Sequence, residues 1–76
     1  MSHREEIDRI MAEALLDGLV ATEHIDHYNL SLDKPTQRWT ATGKLADEEW
    51  HTGSNVYAFY AAEQLARAIL YRRHAE

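Results

Sequence analysis

The period of hydrophobic and polar positions changes twice along this chain, which divides it into a helix, a pair of strands and a second helix. In the first segment, apolar side chains recur at the three- and four-residue spacing of a helix that buries one face. These positions are Ile7, Ile10, Met11, Ala14 and Leu15. The pattern predicts a helix whose apolar stripe faces the core.

Capping residues mark both ends of this first helix. Ser2 and Glu5 have the spacing of a capping box, in which two side chains bond each other's backbone N–H groups. Gly18 favours an end just after Asp17, because glycine readily adopts the left-handed conformation that closes many helices. The alternative is a helix that continues to Ala21, at a cost of about 1 kcal/mol for the internal glycine.

From Ile25 the period changes to two, which is typical of a half-buried strand. Tyr28, Leu30 and Leu32 share one face, and residues 33–36 have the composition of a turn. A second alternating run places four residues on one face: Trp39, Ala41, Gly43 and Leu45. The two runs predict a β-hairpin with a loop of four or five residues. Because an isolated hairpin is marginal in water, its apolar face must lie on helices, on a third strand or on another chain.

The segment after the hairpin leads into a long final helix. Residues 47–50 predict a short helical turn, and the run of residues 52–54 predicts a break with Ser54 as the helix N-cap. We therefore expect a small single α+β domain spanning residues 1–76. Its predicted order is helix, β-hairpin, short helical turn and long C-terminal helix, with the helices packed on one face of the hairpin.

The final helix, expected from Ser54 to His74, has two distinct faces. One is aliphatic and is predicted to face the core: Ala58, Phe59, Ala62, Leu65, Ala66, Ile69 and Leu70. The opposite face is aromatic and polar: Tyr57, Tyr60, Gln64, Arg67, Tyr71 and His74. Tyrosine and arginine are enriched at the energetic centres of protein interfaces. This face is predicted to bind another protein or a second copy of the chain; the alternative is that it covers the hairpin or the first helix.

Charge is distributed unevenly over the 76 residues. The net charge is −5, and residues 1–33 alone have eight acidic against two basic residues. Residues 54–76 have a net charge of +1. This asymmetry favours self-association, as in a homodimer, or a protein partner with a basic surface. It disfavours direct binding to nucleic-acid phosphates, which is kept as an alternative. Charged residues throughout positions 1–17 argue against a membrane span, and the lack of cysteine favours a cytoplasmic protein.

A second candidate surface surrounds one tryptophan. Trp50 follows three carboxylates, Asp47, Glu48 and Glu49. If exposed, this acidic and aromatic patch could bind a lysine or arginine of a partner. The alternative is that Trp50 packs half-buried, whereas Trp39 is expected in the core.

Motifs for catalysis, cofactors or metals are weak. His24, Asp26 and His27 have metal-ligand residue types, but a third ligand would have to come from elsewhere, such as His51 or His74. The glycines are too far apart for a phosphate-binding loop and are expected at helix ends and turns. No spacing indicates a catalytic triad. We therefore predict no cofactor, no metal and no enzymatic activity.

These observations favour a non-enzymatic protein–protein interaction module. A small nucleic-acid-binding or regulatory domain and a homodimeric structural domain with a His/Asp metal site are the alternatives. By analogy of size and charge alone, small acidic domains occur among bacterial and phage accessory proteins, including anti-CRISPR inhibitors that occlude a partner surface. Under that analogy, acidic residues would imitate phosphates: Glu5, Glu6, Asp8, Glu13, Asp47, Glu48 and Glu49.

Overall fold

The computed structural model describes residues 3–45 and 48–75 and shows two helices with a three-stranded antiparallel sheet. In chain order the elements are α1 (His3–Ala21), β1 (His27–Asp33), β2 (Arg38–Lys44), β3 (His51–Asn55) and α2 (Ala58–Ala75). The strands lie in the order β1-β2-β3. The predicted α+β class and the order helix, hairpin, helix are confirmed, and β3 is an additional strand.

Helix α1 continues through Gly18, so the predicted end at Asp17 is wrong and the continuation to Ala21 is confirmed. The left-handed residue that closes the helix is Glu23, with φ of 63°. The His24 N–H donates to the Leu19 carbonyl at 2.9 Å, and the Glu23 N–H donates to the Val20 carbonyl at 3.0 Å. These two bonds form a Schellman motif, with glutamate at the position that glycine usually occupies.

The hairpin has the predicted faces and loop length. Leu30 lies opposite Ala41, and Tyr28 lies opposite Gly43. Ala41 and Gly43 are buried, and the loop between the strands has four residues, 34–37. Gln37 completes this loop with φ of 56°. The period-two pattern therefore correctly identified which side of the hairpin packs against the helices.

Strand β3 replaces the predicted helix start. Gly53 lies opposite Ala41 of β2, and a Cβ at Gly53 would collide with the carbonyl oxygen of Ala61 and lie 2.7 Å from the Leu65 nitrogen. Helix α2 therefore lies directly on β3 at Gly53, which has no side chain to hold the helix away. The predicted N-cap at Ser54 is wrong, because Ser54 pairs in the sheet opposite Thr40.

The connection before β3 is not helical over its described part. The Glu48 N–H donates to the Leu45 carbonyl at 3.1 Å, and residues 48–50 have no helical structure. The predicted helical turn is therefore wrong for residues 48–50. Asp47, its proposed first residue, lies outside the described residues, as does Ser2 of the predicted capping box.

Small side chains dominate the core between the helices and the sheet. Of the eleven apolar residues that are buried in the described part of the chain, six are alanines: Ala12, Ala41, Ala58, Ala61, Ala62 and Ala66. Leu16, Ile25 and Leu65 are the largest fully buried side chains. Trp39 packs against this core but is only partly buried. These small side chains let α2 lie close to the sheet, as it does at Gly53.

Candidate protein-interaction surface

The outward side of α1 carries an apolar stripe that is exposed in the described structure. Ile7 is 54%, Ile10 52% and Met11 47% exposed. The sequence pattern assigned these side chains to the core, and that prediction is wrong. Helix α1 packs instead through residues about half a turn away: Ala12, Leu16 and Leu19. Ala14 of the predicted stripe is also exposed, and Leu15 is half-buried.

An open groove of about 420 Å³ joins this stripe to the start of α2. Ile7 and Met11 form its α1 side, and aromatic rings form its α2 side: Tyr57, Phe59 and Tyr60. The Tyr57 and Tyr60 rings meet edge to face, with centroids 5.7 Å apart. The apolar surface of α1 is therefore continuous with an aromatic surface on α2.

The structure places five residues of the predicted tyrosine-containing face at the surface, and the side chain of the sixth, His74, lies outside the described part. Tyr57 is 58%, Tyr60 49% and Tyr71 78% exposed, and Gln64 and Arg67 are also exposed. Tyr57 and Tyr60 line the groove beside α1, and Tyr57 also lines a cavity bounded by Leu32 and Trp39 of the hairpin. We refer to the combined surface as the outer helical face, which consists of Ile7, Ile10, Met11, Tyr57, Tyr60, Arg67 and Tyr71.

Two polar residues of α2, Gln64 beside the outer helical face and Arg67 within it, differ in how firmly they are held. The Gln64 side-chain oxygen accepts a hydrogen bond of 3.2 Å from the Ser54 N–H, so Gln64 links α2 to the edge strand β3. Arg67 lies 3.6 Å from Glu63 one turn away, and its side chain is 77% exposed. An exposed helix pair of this kind contributes about 0.2–0.5 kcal/mol. A partner can therefore displace the Arg67 pair at little cost.

Asp8 joins the two helices at the base of the groove. Its carboxylate accepts hydrogen bonds from the Ala58 N–H at 2.6 Å and the Phe59 N–H at 2.9 Å. These donors are among the backbone groups that a helix leaves unbonded at its N-terminus. Asp8 thus caps α2 from α1 and fixes the relative position of the two helices. This engagement also removes Asp8 from the acidic residues expected to imitate phosphates.

A smaller cavity of about 260 Å³ lies beside the groove, where the hairpin approaches the N-terminal half of α1. Leu32 and Trp39 of the hairpin and Val56 before α2 supply its apolar walls. Arg4, Asp8 and Tyr57 line both this cavity and the groove. Its volume lies below the roughly 300–1,000 Å³ of typical small-molecule sites. The cavity extends the exposed apolar surface from the helices onto the sheet.

The patch around Trp50 lies on another part of the molecule and has its own cation. Trp50 is 54% exposed, and the Lys44 Nζ lies 5.3 Å from its ring centroid. The His27 ring lies 6.1 Å from the same ring. Glu48 and Glu49 are exposed, while Asp47 lies outside the described residues. The cation that the sequence analysis expected from a partner is thus supplied in part by the chain's own Lys44.

The histidine-containing cluster has other partners. The His24 Nδ1 lies 2.7 Å from the Thr22 hydroxyl oxygen, and the Asp26 N–H donates to the Lys44 carbonyl at 2.8 Å. Among the described residues, no group of three or more His, Cys, Asp or Glu side chains could hold a metal ion. The side chain of His74, named as a third ligand, lies outside the described part. The described geometry gives no support to the metal-site alternative.

A phenol links the sheet to α1. The Tyr28 hydroxyl donates a 2.7 Å hydrogen bond to the Asp17 carboxylate. This hydrogen bond raises the pKa of Tyr28 from 10.0 to about 12, with smaller contributions from burial and from the negative charges of Asp17 and Glu13. Ionising the phenol would destroy its role as a donor and place two negative charges together. The link therefore requires neutral Tyr28.

Sequence reasoning missed the α1 half of the outer helical face. The signal was present, because apolar residues occur on two opposite sides of α1 and both sides have helical spacing. Periodicity identified a helix, but it did not reveal which of the two stripes was buried. Ile7, Ile10 and Met11 were assigned to the core, whereas Ala12, Leu16 and Leu19 occupy it.

The fold and this surface define a small α+β protein with two helices layered on a three-stranded antiparallel sheet. Comparisons with protein-family models, with curated proteins and with solved structures find no match. Within residues 3–45 and 48–75, neither helix has the combination of length and apolar character needed to cross a membrane.

Proposed function

We propose that this chain is a non-enzymatic protein-binding module that acts through its outer helical face. One observation carries the proposal: large apolar and aromatic side chains of α1 and α2 form a continuous exposed surface instead of filling the core. Contiguous apolar surface of this kind marks interaction sites in small proteins. Tyrosine and arginine within it are the residue types that contribute most to binding free energy.

The electrostatic setting favours a protein partner over a nucleic acid. Of the two helices, α1 carries five acidic and two basic side chains, so phosphates would be repelled from half of the face. Occlusion of a larger assembly, as in anti-CRISPR inhibitors, is one form that such binding would take. The acidic residues available for it include Glu5, Glu6 and Glu13, which are exposed, but not the capping Asp8.

Affinity capture with matched variants tests this proposal. The baits would be the tagged wild-type chain and the tagged double variant Tyr60→Ala with Arg67→Ala. Each would be expressed in the organism that encodes the chain, together with an untagged copy of the wild-type chain. The control is Asn29→Ala with Ser31→Ala, two exposed residues of β1. We expect the wild type and the control to retain the same proteins and the Tyr60/Arg67 variant to lose them. Equal retention by all three baits would contradict the proposal.

A further inference from the structure

The outward side of the two helices is large enough to form one half of a dimer interface. Six large side chains of the outer helical face are at least one-third exposed, and so is Leu70, whose predicted core position is wrong. The seven are Ile7, Ile10, Met11, Tyr57, Tyr60, Leu70 and Tyr71. Each of these side chains exposes an area on the order of 100 Å², so together they expose on the order of 700 Å². Each partner in a standard interface buries roughly 800 Å². A molecule of similar size can therefore cover this surface completely.

The shape of the α1 stripe suits a second helix. After Ile7, Ile10 and Met11, the stripe continues into two small exposed residues, Ala14 and Gly18. A Cβ at Gly18 would meet no atom within 4 Å. Another helix can therefore approach α1 closely along this end while the larger side chains pack at the other.

Charge distinguishes between the ways in which two copies could meet. By sequence, α1 has a net charge of −3 and α2 a net charge of +2. Pairing α1 with α1 would bring Glu6 and Glu13, which flank the stripe, toward the same carboxylates of the second copy. Pairing α1 with α2 brings those carboxylates toward the helix that carries Arg67. Like charges disfavour the first arrangement and opposite charges favour the second.

We propose that two copies of the chain associate through their outer helical faces, with α1 of each copy lying on α2 of the other. The proposal rests on the proposed function and identifies its partner as a second copy. Such a pairing is isologous, so a single two-fold axis buries both α1 stripes and both tyrosine-containing faces. The resulting dimer has four layers: sheet, helices, helices and sheet.

Sedimentation equilibrium of the purified chain measures this association. We expect a species of 17.6 kDa, twice the 8.8 kDa of one chain. Ile10→Glu places a carboxylate in the centre of the interface and is expected to raise the dissociation constant at least tenfold, which corresponds to about 1.4 kcal/mol. Asn29→Glu adds the same charge on exposed β1 and should leave the dimer unchanged. Ile7→Glu, one turn away, is the second variant, and circular dichroism verifies that all variants are folded.

Charge reversal tests the arrangement of the helices. Glu13→Lys is expected to weaken the dimer several-fold, and adding Arg67→Glu is expected to restore part of the loss. A dimer that tightens with Glu13→Lys would contradict the α1-to-α2 pairing, because relief of carboxylate repulsion indicates α1 against α1.

Two other results would overturn dimerisation through this face. One is a wild-type chain that stays at 8.8 kDa up to about 1 mM. That result would mean that any association has a free energy weaker than about −4 kcal/mol. The other is a dimer that neither Ile10→Glu nor Ile7→Glu weakens. If the chain is monomeric but Tyr60→Ala with Arg67→Ala still loses a captured protein, the proposed function stands and only the second copy is rejected.

Discussion

The inner and outer sides of the helical layer contain different sets of apolar residues. On the inner side, alanines pack against Ala41 and Gly53 of the sheet, and α2 lies directly on β3. On the outer side lie isoleucine, methionine and tyrosine side chains that are about half exposed. On α2, side-chain size therefore separates the two sides, whereas on α1 leucines face inward and isoleucines of similar size face outward. The close approach of α2 to β3 leaves its tyrosine side chains on the outer surface.

Substituting one glycine on each side of the helical layer tests this difference, and we expect it to give the largest change in the free energy of unfolding. Gly53→Ala adds a methyl group where the Ala61 carbonyl lies, so α2 must move away from β3. We expect the free energy of unfolding to fall by about 1–3 kcal/mol. Gly18→Ala adds the same group where no other atom of the same chain lies within 4 Å, and it is expected to stabilise the monomer by about 0.5–1 kcal/mol. Urea unfolding measures both, and equal effects would show that the two sides do not differ in packing.

The Asp8 cap tests how firmly the two helices are joined. Asp8→Ala leaves the Ala58 and Phe59 N–H groups without their acceptor. We expect a loss of about 1–2 kcal/mol in the free energy of unfolding, from the range measured for helix caps. Glu6→Ala, an exposed substitution on the same helix, should change it by less than about 0.5 kcal/mol. Indistinguishable effects in urea unfolding would contradict the role assigned to Asp8.

The Tyr28 link tests the attachment of the sheet to α1. Tyr28→Phe is expected to lower the free energy of unfolding at pH 7 by about 1 kcal/mol, because the bond to Asp17 is lost. The folded state holds the pKa of Tyr28 near 12, above its ordinary 10.0. The stabilisation is therefore complete below pH 10 and is lost as the pH rises toward 12, since the unfolded chain releases this proton first.

Unfolding measured across this alkaline range separates Tyr28 from the other tyrosines. The difference in stability between the wild type and Tyr28→Phe should shrink from pH 10 to pH 12. Tyr71→Phe, which alters the most exposed tyrosine, serves as the control and should track the wild type. A constant difference between the wild type and Tyr28→Phe would contradict the raised pKa.

The smallest expected effect lies at the end of α1. Glu23 adopts a left-handed conformation that glycine adopts without strain. Glu23→Gly is therefore expected to raise the free energy of unfolding by up to about 1 kcal/mol, measured by thermal or urea unfolding. Glu13→Gly, in the interior of the same helix, should lower it by a similar amount. Destabilisation by Glu23→Gly would show that the Schellman turn depends on the glutamate side chain.

Local patterns predicted the hairpin well because its alternation and its turn depend on neighbouring residues. Leu30 and Ala41 share the predicted face, and the loop has the predicted length. The start of α2 depends on tertiary contacts instead, since Gly53 pairs with β2 and Asp8 supplies the cap from a distant helix. Those contacts are invisible to a local interpretation of the run Thr52-Gly53-Ser54.

The two halves of the outer helical face differ in the same way. On α2, Tyr60 and Tyr71 lie on the side opposite the aliphatic residues, and this spacing alone predicted from the sequence that they lie outside the core. Helix α1 offered two apolar stripes, and only the three-dimensional packing shows that Leu16 faces inward and Ile10 faces outward.

Site-specific photo-crosslinking tests the central claim, that the outer helical face binds protein, most directly. A photoreactive phenylalanine derivative would replace Tyr60 in one sample and Asn29 on β1 in another, each expressed in the organism that encodes the chain. We predict a discrete protein adduct from position 60 and none from position 29, with twice the chain mass if the adduct is a second copy. Adducts from position 29 alone, or none from either position, would contradict the account.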